Sequence, residues 1–246
     1  MIPVLVAHRG YMENYPENSL SALSAALDAG ACMIEFDVQM DCNEQLLVLH
    51  DDNFKRTAGV PQSVFKPQDY TKISVHEPAR LADAFNPEPV PGLRQVAELL
   101  LDYPAATAFV EIKDESLDQW GMEKVVDKVL ACIEPVKQQC VLIADSLDAL
   151  LYARNKAEYK IGWVIHRYDS AHQELAARHT PDFLICNYKR VNGDLWPGVW
   201  QWMLYDISDP ELALEWAGKG AELIETRDIG GMLQHPQLQQ RACKYS

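Results

Sequence analysis

Ala7-His8-Arg9-Gly10, Pro16-Glu17-Asn18-Ser19, Ile34-Glu35-Phe36-Asp37-Val38 and His50-Asp51 follow one another near the beginning of the chain. Short apolar runs precede the charged residues, which is the pattern of strands that end in functional loops. Two histidines, an arginine and two carboxylates one residue apart are groups that can bind a cation and transfer protons. This stretch therefore predicts a functional site at the ends of successive strands.

The alternation of strands and helices continues to the end of the chain. Residues 19–30 place Leu20, Leu23 and Leu27 on one helical face, after a strand at 4–7. Further helices are predicted from 91 onward and at 122–134, 147–156, 170–179 and 210–217, and further strands at 33–38, 45–49, 108–113, 140–144, 160–165, 183–187, 199–204 and 221–226. About eight strand–helix units imply a closed (β/α)8 TIM barrel of the α/β class. We expect one domain that spans residues 1–246.

Two parts of the chain depart from this regular alternation. The run at 45–49 follows the strand at 33–38 too closely for a helix between them, which predicts an irregular second and third strand region. From 51 to 90 the periodic pattern dissolves, and prolines recur at Pro61, Pro67, Pro78 and Pro87. We interpret this segment as an inserted loop or small subdomain over the site.

The overall charge argues against two classes of partner. There are 22 Lys and Arg residues against 36 Asp and Glu residues, a formal net charge of −14. A chain this acidic, without a cluster of basic residues, repels nucleic acid and anionic membranes. No apolar run approaches the roughly 20 residues of a membrane-spanning helix, so stable membrane association is not expected. The oligomeric state stays open, and a homo-oligomer is compatible with the sequence.

Residues 1–6 and the cysteines favour a cytoplasmic location. The first residues carry no basic region and form a strand rather than a secretion signal. The cysteines form no Cys-x-x-Cys pair and lie mostly in apolar patterns, at Cys32, Cys42, Cys132, Cys140, Cys186 and Cys243. Buried, reduced thiols are expected, and a zinc finger or a disulfide scaffold is not.

The charged faces of two strands predict a cation site. A period of two puts Glu35 and Asp37 on one face of the strand at 33–38, and Glu111 and Lys113 on one face of the strand at 108–113. Each pair alone has a structural explanation, a solvated strand face for the first and an internal ion pair for the second. At the carboxyl ends of barrel strands they can converge. Three hard oxygen ligands favour Mg²⁺ or Ca²⁺, with Mn²⁺ a further option, over zinc.

The remaining charged residues suggest chemistry at a phosphate. Arg9 offers a planar fork for two phosphate oxygens, and Lys113 offers a point charge. His8 and His50 can act as a general base and a general acid, which fits phosphodiester cleavage. Asp51 is expected to orient His50. Five other histidines have no charged strand beside them and are interpreted as ordinary surface or loop residues: His76, His166, His172, His179 and His235.

The order His-Arg-Gly, Pro-Glu-Asn-Ser, Glu-x-Asp, His-Asp, Arg-Thr and Glu-Ile-Lys resembles the glycerophosphodiester phosphodiesterase family of the phospholipase-C-like superfamily. The resemblance implies a TIM barrel that uses a divalent cation to hydrolyse glycerophosphodiesters, which are small molecules, to sn-glycerol 3-phosphate and an alcohol. It implies these roles: His8 and His50 as the acid/base pair, Glu35, Asp37 and Glu111 as metal ligands, Arg9 and Lys113 as phosphate contacts, and Glu17 as an auxiliary residue.

The chain departs from the family pattern near its end. Trp202-Met203-Leu204-Tyr205 stands where the family usually has Trp-Thr-Val-Asn, and Thr226-Arg227-Asp228-Ile229 stands where it has Thr-Asp-x-Pro. Trp202 could offer a stacking surface to the alcohol end of a substrate. Two other functions stay open, a phospholipase D or C acting on lysolipid head groups and a catalytically silent barrel that binds phosphodiesters.

Overall fold

In a computed structural model of the chain, which describes residues 1–67, 72–82, 84–85 and 87–245, eight parallel strands close into a barrel. The strands are β1 (Val4–Ala7), β2 (Met33–Met40), β3 (Leu46–Val48), β4 (Ser74–Val75), β5 (Glu88–Pro89), β6 (Thr107–Ile112), β7 (Cys140–Ala144), β8 (Lys160–Ile165), β9 (Phe183–Asn187), β10 (Gln201–Tyr205) and β11 (Leu223–Thr226). All but β3, β4 and β5 belong to the barrel, and β1 closes it by pairing with both β2 and β11. The predicted TIM barrel is confirmed.

Helices connect successive barrel strands. They are α1 (Leu20–Asp28), α2 (Lys55–Ala58), α3 (Pro78–Leu81), α4 (Leu93–Leu101), α5 (Asp114–Trp120), α6 (Met122–Ile133), α7 (Leu147–Ala157), α8 (Ser170–His179), α9 (Pro210–Gly218) and α10 (Ile229–Met232). The sequence did not predict α5 or α10, because neither carries a long apolar period.

The irregular strand region is a short hairpin against the barrel. β3 runs antiparallel to the carboxyl-terminal end of β2, with Val38 opposite Val48. The segment that follows contains α2, α3 and the antiparallel pair β4–β5, and it buries a small apolar cluster of its own around Leu49, Phe54 and Val64. The prediction of an inserted subdomain at about 51–90 is therefore confirmed, and Gln68 to Thr71, Asp83 and Asn86 of it lie outside the described residues.

Two apolar layers hold the barrel together. Ile34, Phe36 and Val38 face outward and pack with the helices, as the period of two predicts. A second cluster fills the barrel interior. Gly162 lies beside it, and this position favours glycine because a Cβ there would come within 2.9 Å of the Ile143 side chain. The interior cluster consists of Val6, Phe109, Val141, Ile143, Val164, Phe183, Ile185, Met203 and Leu223. Its side chains form a packed layer beneath the carboxyl ends of the strands.

The turn after β1 brings α1 close to the barrel. Gly10 has φ +80°, and a Cβ at this position would come within 2.5 Å of the Ala22 backbone carbon. Ser19 caps α1 by accepting a hydrogen bond from the Ala22 backbone N–H at 3.0 Å. Only glycine permits both the backbone conformation and the close approach.

The expectation of reduced thiols is wrong for two of the six cysteines. Cys32, just before β2, forms a disulfide with Cys243, 211 residues further along the chain. The C-terminal segment docks beside it, where the Cys243 backbone N–H donates to the Gly30 carbonyl and the Tyr245 hydroxyl donates to the Ala31 carbonyl. The pairing could not be foreseen, because residues so far apart carry no local spacing signal. The other four cysteines are free thiols.

Across the described ranges, none of the helices combines the length and the apolarity required to cross a bilayer.

Candidate active site

A cavity of about 200 Å³ opens at the carboxyl ends of the barrel strands. Its lining combines basic, acidic and aromatic side chains above the apolar interior. It is lined by His8, Arg9, His50, Glu111, Lys113, Ile143, Asp145, Val164, His166, Ile185, Tyr205, Asp206 and Glu225. Four of the residues predicted for catalysis or phosphate contact, and one predicted metal ligand, therefore share one cavity.

The three carboxylates predicted as metal ligands meet at the edge of this cavity. Asp37 on β2 stands in register with Glu111 on β6, and Glu35 lies one inward-facing position earlier. One oxygen from each lies within 4.8 Å of the others. Oε1 of Glu35 is buried, and no residue in the described part of the chain hydrogen-bonds to it. A buried carboxylate oxygen without a donor, among three hard ligands, fits a divalent cation.

Arg9 ties these carboxylates to the loop after β1. Its backbone N–H donates to Glu35 at 3.0 Å, its Nη1 donates to Glu17 at 2.8 Å, and its Nε lies 3.1 Å from Asp37. Burial alone would lower the pKa of the guanidinium, but the carboxylates of Asp37, Glu17 and Glu35 outweigh it and raise that pKa. Arg9 has φ 53°, an unfavourable backbone conformation for a residue with a side chain. The surrounding contacts hold it there.

The neighbouring charges divide the carboxylates into two kinds. Burial would raise the pKa of Asp37, but Arg9 and Lys113 outweigh it and lower that pKa below its ordinary value. Burial and the Asp37 carboxylate raise the pKa of both Glu35 and Glu111. Lys113 contacts Glu111 at 2.6 Å and Asp37 at 3.5 Å. A bound cation would offset the mutual repulsion of these carboxylates, which is the effect that raises the pKa of Glu35 and Glu111 beyond the contribution of burial.

The two predicted histidines reach the cavity from different elements. His8 follows β1, and its Nε2 lies 4.0 Å from Glu35. Burial, with a contribution from Arg9, lowers the pKa of His8 to about 3, so its imidazole is neutral near pH 7. His50 follows β3, and its Nδ1 lies 2.7 Å from Asp51, which leaves Nε2 for another partner. The orienting contact expected of Asp51 is present.

Glu17 connects the histidine loop to the inserted subdomain. It is buried and receives hydrogen bonds from Arg9 and from Arg56, whose Nη2 lies 2.8 Å away. Arg56 also donates to Asp51 at 3.0 Å. Burial would raise the pKa of Glu17, but the two guanidinium groups outweigh it and lower that pKa. A chain of polar contacts thus runs from His50 through Asp51, Arg56 and Glu17 to Arg9.

Trp202 does not join the other predicted residues. It is the second residue of β10, near the end of the strand away from the cavity, and its side chain packs with the outward-facing layer at 4% exposure. Its indole N–H donates to the Trp196 carbonyl at 3.0 Å. Tyr205, three residues later on the inward face, is the aromatic residue in the cavity. We therefore leave Trp202 out of the substrate contacts.

Sequence reasoning missed several residues that line the cavity. His166, interpreted as an ordinary surface or loop histidine, lies at its rim after β8, with Nε2 2.6 Å from Asp145. Asp206 follows β10, and Glu225 is on β11. The signal was available, because each of these residues stands at or just after the carboxyl end of a predicted strand.

A family model and curated relatives match the chain. Residues 8–193 match the model of the glycerophosphoryl diester phosphodiesterase family. A glycerophosphodiester phosphodiesterase of Bacillus altitudinis is 34% identical over 129 residues, which is 50% of each chain. One from Caldanaerobacter subterraneus subsp. tengcongensis is 31% identical over 132 residues, 53% of each chain. The chain thus spans about half the length of these relatives.

Solved structures share the fold at lower identity. A phosphodiesterase of Oleispira antarctica, in complex with the product sn-glycerol-3-phosphate, has a TM-score of 0.80 at 19% identity, covering 95% of this chain and 96% of that chain. The glycerophosphodiester phosphodiesterase of Thermotoga maritima has a TM-score of 0.69 at 21% identity, covering 94% and 97%. The family match extends from His8 across most of the chain and takes in every residue proposed for the metal, the phosphate and the acid/base pair, so the chain belongs to the glycerophosphoryl diester phosphodiesterase family.

Proposed function

We propose that this chain hydrolyses glycerophosphodiesters to sn-glycerol 3-phosphate and an alcohol, with a divalent cation and an acid/base pair of histidines. The observation that carries the proposal is the placement of His8, His50, Arg9 and Lys113 around one cavity whose edge holds three convergent carboxylates. A phosphodiester is a small anion, so a site within an acidic chain needs local positive charge to receive it. Arg9 and Lys113 line the cavity and, together with a bound cation, would supply that charge.

Glu35, Asp37 and Glu111 are the proposed ligands of the cation. A hard dication such as Mg²⁺ or Ca²⁺ suits three carboxylates, and when bound it withdraws charge from the phosphate oxygens. Lys113, 2.6 Å from Glu111, then offers its ammonium group to the same phosphate. Arg9 holds Asp37 and Glu35 in place while its charge faces the cavity.

The two imidazoles are the proposed proton carriers. Hydrolysis forms a bond from the oxygen of the nucleophile to phosphorus and breaks the bond from phosphorus to the alcohol oxygen. One histidine takes the proton of the nucleophile and the other gives a proton to the leaving oxygen. If the nucleophile is water, the monoester forms directly; if it is the neighbouring glycerol hydroxyl, a cyclic phosphodiester forms and water then opens it, with the two histidines exchanging roles. Asp51 and Arg56 keep the His50 ring oriented for this transfer. Glu17 acts through Arg9 and Arg56 as a positioning residue.

The direct test measures release of sn-glycerol 3-phosphate from glycerophosphocholine, glycerophosphoethanolamine and glycerophosphoglycerol. His8→Ala and His50→Ala should each lower kcat by about 10²–10⁴, the range typical of lost general acid or base catalysis. A chelator should abolish turnover, and added Mg²⁺ or Ca²⁺ should restore it.

The matched control is His179→Ala, because His179 ends α8 and does not line the cavity. It should retain wild-type activity. Full activity in His8→Ala or His50→Ala would refute the histidine assignment, and turnover that persists in chelator would refute the cation.

A further inference from the structure

Glu225 is a buried carboxylate for which the proposed hydrolysis has no use. It stands on β11 in register with Val6 of β1, it is 5% exposed, and it lines the cavity. Among the residues that the structure describes, no side chain donates a hydrogen bond to its carboxylate or forms an ion pair with it. Its carboxylate faces the cavity without a side-chain partner, so it is available to bind a ligand there.

His8 and Glu35 lie close enough to Glu225 to bind a metal ion together with it. One ligand atom from each of His8, Glu35 and Glu225 lies within 4.8 Å of the other two. None of these pairs is hydrogen-bonded, and His8 Nε2 stands 4.0 Å from Glu35. Ligand atoms of a tetrahedral ion with bonds of roughly 2.0–2.2 Å lie about 3.4 Å apart, so these side chains would close by on the order of 1 Å on binding one ion.

Glu35 also has an oxygen without a donor, which either group could use. Its Oε2 accepts from the Arg9 backbone N–H, whereas its buried Oε1 has no hydrogen-bond partner among the described residues. Glu35 belongs both to the group with Asp37 and Glu111 and to the group with His8 and Glu225. A carboxylate has two oxygens, so Glu35 can serve two neighbouring cations.

The two groups differ in their preference for metals. Three carboxylates are hard ligands suited to Mg²⁺ or Ca²⁺. One imidazole and two carboxylates form a mixed nitrogen and oxygen set, which suits Zn²⁺ and neighbouring transition metals. The ligand set that includes His8 is therefore better suited to a transition-metal dication than the three carboxylates are.

We propose that His8, Glu35 and Glu225 form a second cation subsite, which takes a transition-metal dication such as Zn²⁺ and shares Glu35 with the hard-cation site. Binding there occupies the nitrogen of His8 that proton transfer needs. The subsite is therefore inhibitory, and this part of the inference rests on the proposed function. The metal-binding part does not.

Bound Zn²⁺ is the primary measurement. Purified protein is dialysed against Zn²⁺ in the presence of saturating Mg²⁺, and the bound zinc per chain is measured for wild type, Glu225→Gln and Glu215→Gln. Glu225→Gln should bind one equivalent fewer than wild type. Glu215 is an exposed residue of α9 paired with Lys219, so Glu215→Gln should match wild type. Zinc bound weakly by surface histidines or thiols is common to all three proteins and cancels in the difference.

A second variant and an activity assay complete the test. His8→Ala removes the nitrogen ligand and should also bind one equivalent of zinc fewer than wild type. It therefore tests the subsite if Glu225→Gln does not fold. If the chain hydrolyses glycerophosphodiesters, Zn²⁺ should inhibit wild type at a concentration at least about tenfold lower than it inhibits Glu225→Gln. Equal zinc content in wild type and both variants would overturn the subsite. A chain that shows the zinc difference but no hydrolysis would retain the subsite and refute the proposed function.

Discussion

Arg9 and Glu225 are two buried ionisable residues of the same cavity, and they differ in whether their side chains have partners. The Arg9 guanidinium pairs with Asp37 and Glu17, and its backbone N–H donates to Glu35, so this buried residue has partners on several sides. Burial, reinforced by the nearby Glu111 carboxylate, raises the pKa of Glu225 well above its ordinary value. The first residue holds the site together, and the second lowers the stability of the metal-free fold.

That penalty has a definite dependence on pH. The folded state binds a proton at Glu225 more tightly than the unfolded state does, so the cost is absent below the ordinary pKa of 4.5 and grows as the pH rises above it. Each unit of raised pKa corresponds to about 1.4 kcal/mol of lost stability once the carboxylate is ionised. In chelator, Glu225→Gln should therefore have a higher Tm than wild type at pH 7 and nearly the same Tm at pH 4.

Thermal unfolding at the two pH values, with Glu215→Gln as the control, measures this effect. A variant that is less stable than wild type at pH 7 would show that Glu225 has a stabilising partner in solution.

At the scale of elements, the turn between β1 and α1 depends on Gly10. A left-handed backbone alone costs a residue with a side chain roughly 1–2 kcal/mol. Gly59 also has a positive φ, 71°, but a Cβ there meets nothing within 4 Å. Gly59→Ala should therefore cost about that amount, and Gly10→Ala should cost clearly more, because its Cβ collides with the Ala22 backbone.

Urea unfolding of the two variants separates backbone strain from steric conflict. Equal losses of unfolding free energy would mean that α1 moves away without cost.

The period of two along a strand predicts which face of the sheet each of its side chains occupies. The period of two placed Glu35, Asp37 and Glu111 on the inward face, and the structure has them there. The same rule, applied to β10, separates Trp202 on the outward face from Tyr205 on the inward one. The aromatic role was placed on Trp202 because the family comparison, rather than the alternation of the strand, guided that choice. Applied to β11, the period would also have found Glu225.

Contacts that join distant segments lay beyond such patterns. The salt bridges of Arg56 to Glu17 depend on how the inserted subdomain folds back over the barrel, and no local period encodes that position. The disulfide between Cys32 and Cys243 is of the same kind. Side-chain periodicity reports which face is buried, whereas these pairings depend on the tertiary arrangement.

For the whole molecule, that disulfide links the beginning of β2 to the C-terminal segment, at the end of the barrel opposite the cavity. Cross-links that close long loops stabilise proteins by about 2–5 kcal/mol, chiefly by restricting the unfolded chain. Cys243→Ser should lower the free energy of unfolding by that amount and leave kcat unchanged, because the cavity lies at the other end of the strands.

Denaturant unfolding with and without reductant checks this expectation, with Cys132→Ser as the control because Cys132 is a free thiol. Reductant should destabilise wild type and the control but not Cys243→Ser. Insensitivity of wild type to reductant would mean that the bond contributes nothing in solution.

The apolar layer inside the barrel has a kinetic consequence. The apolar interior, which includes Phe109, Ile143, Val164 and Ile185, closes the barrel beneath the cavity. Gly162 allows these side chains to pack closely. The cavity therefore does not continue through the barrel. If the chain hydrolyses glycerophosphodiesters as proposed, both products leave through the opening by which the substrate enters. The phosphate monoester would keep its contacts with Lys113 and Arg9 after the alcohol has left. Accumulating product should consequently compete with fresh substrate for the same entrance, and turnover should slow long before substrate is exhausted.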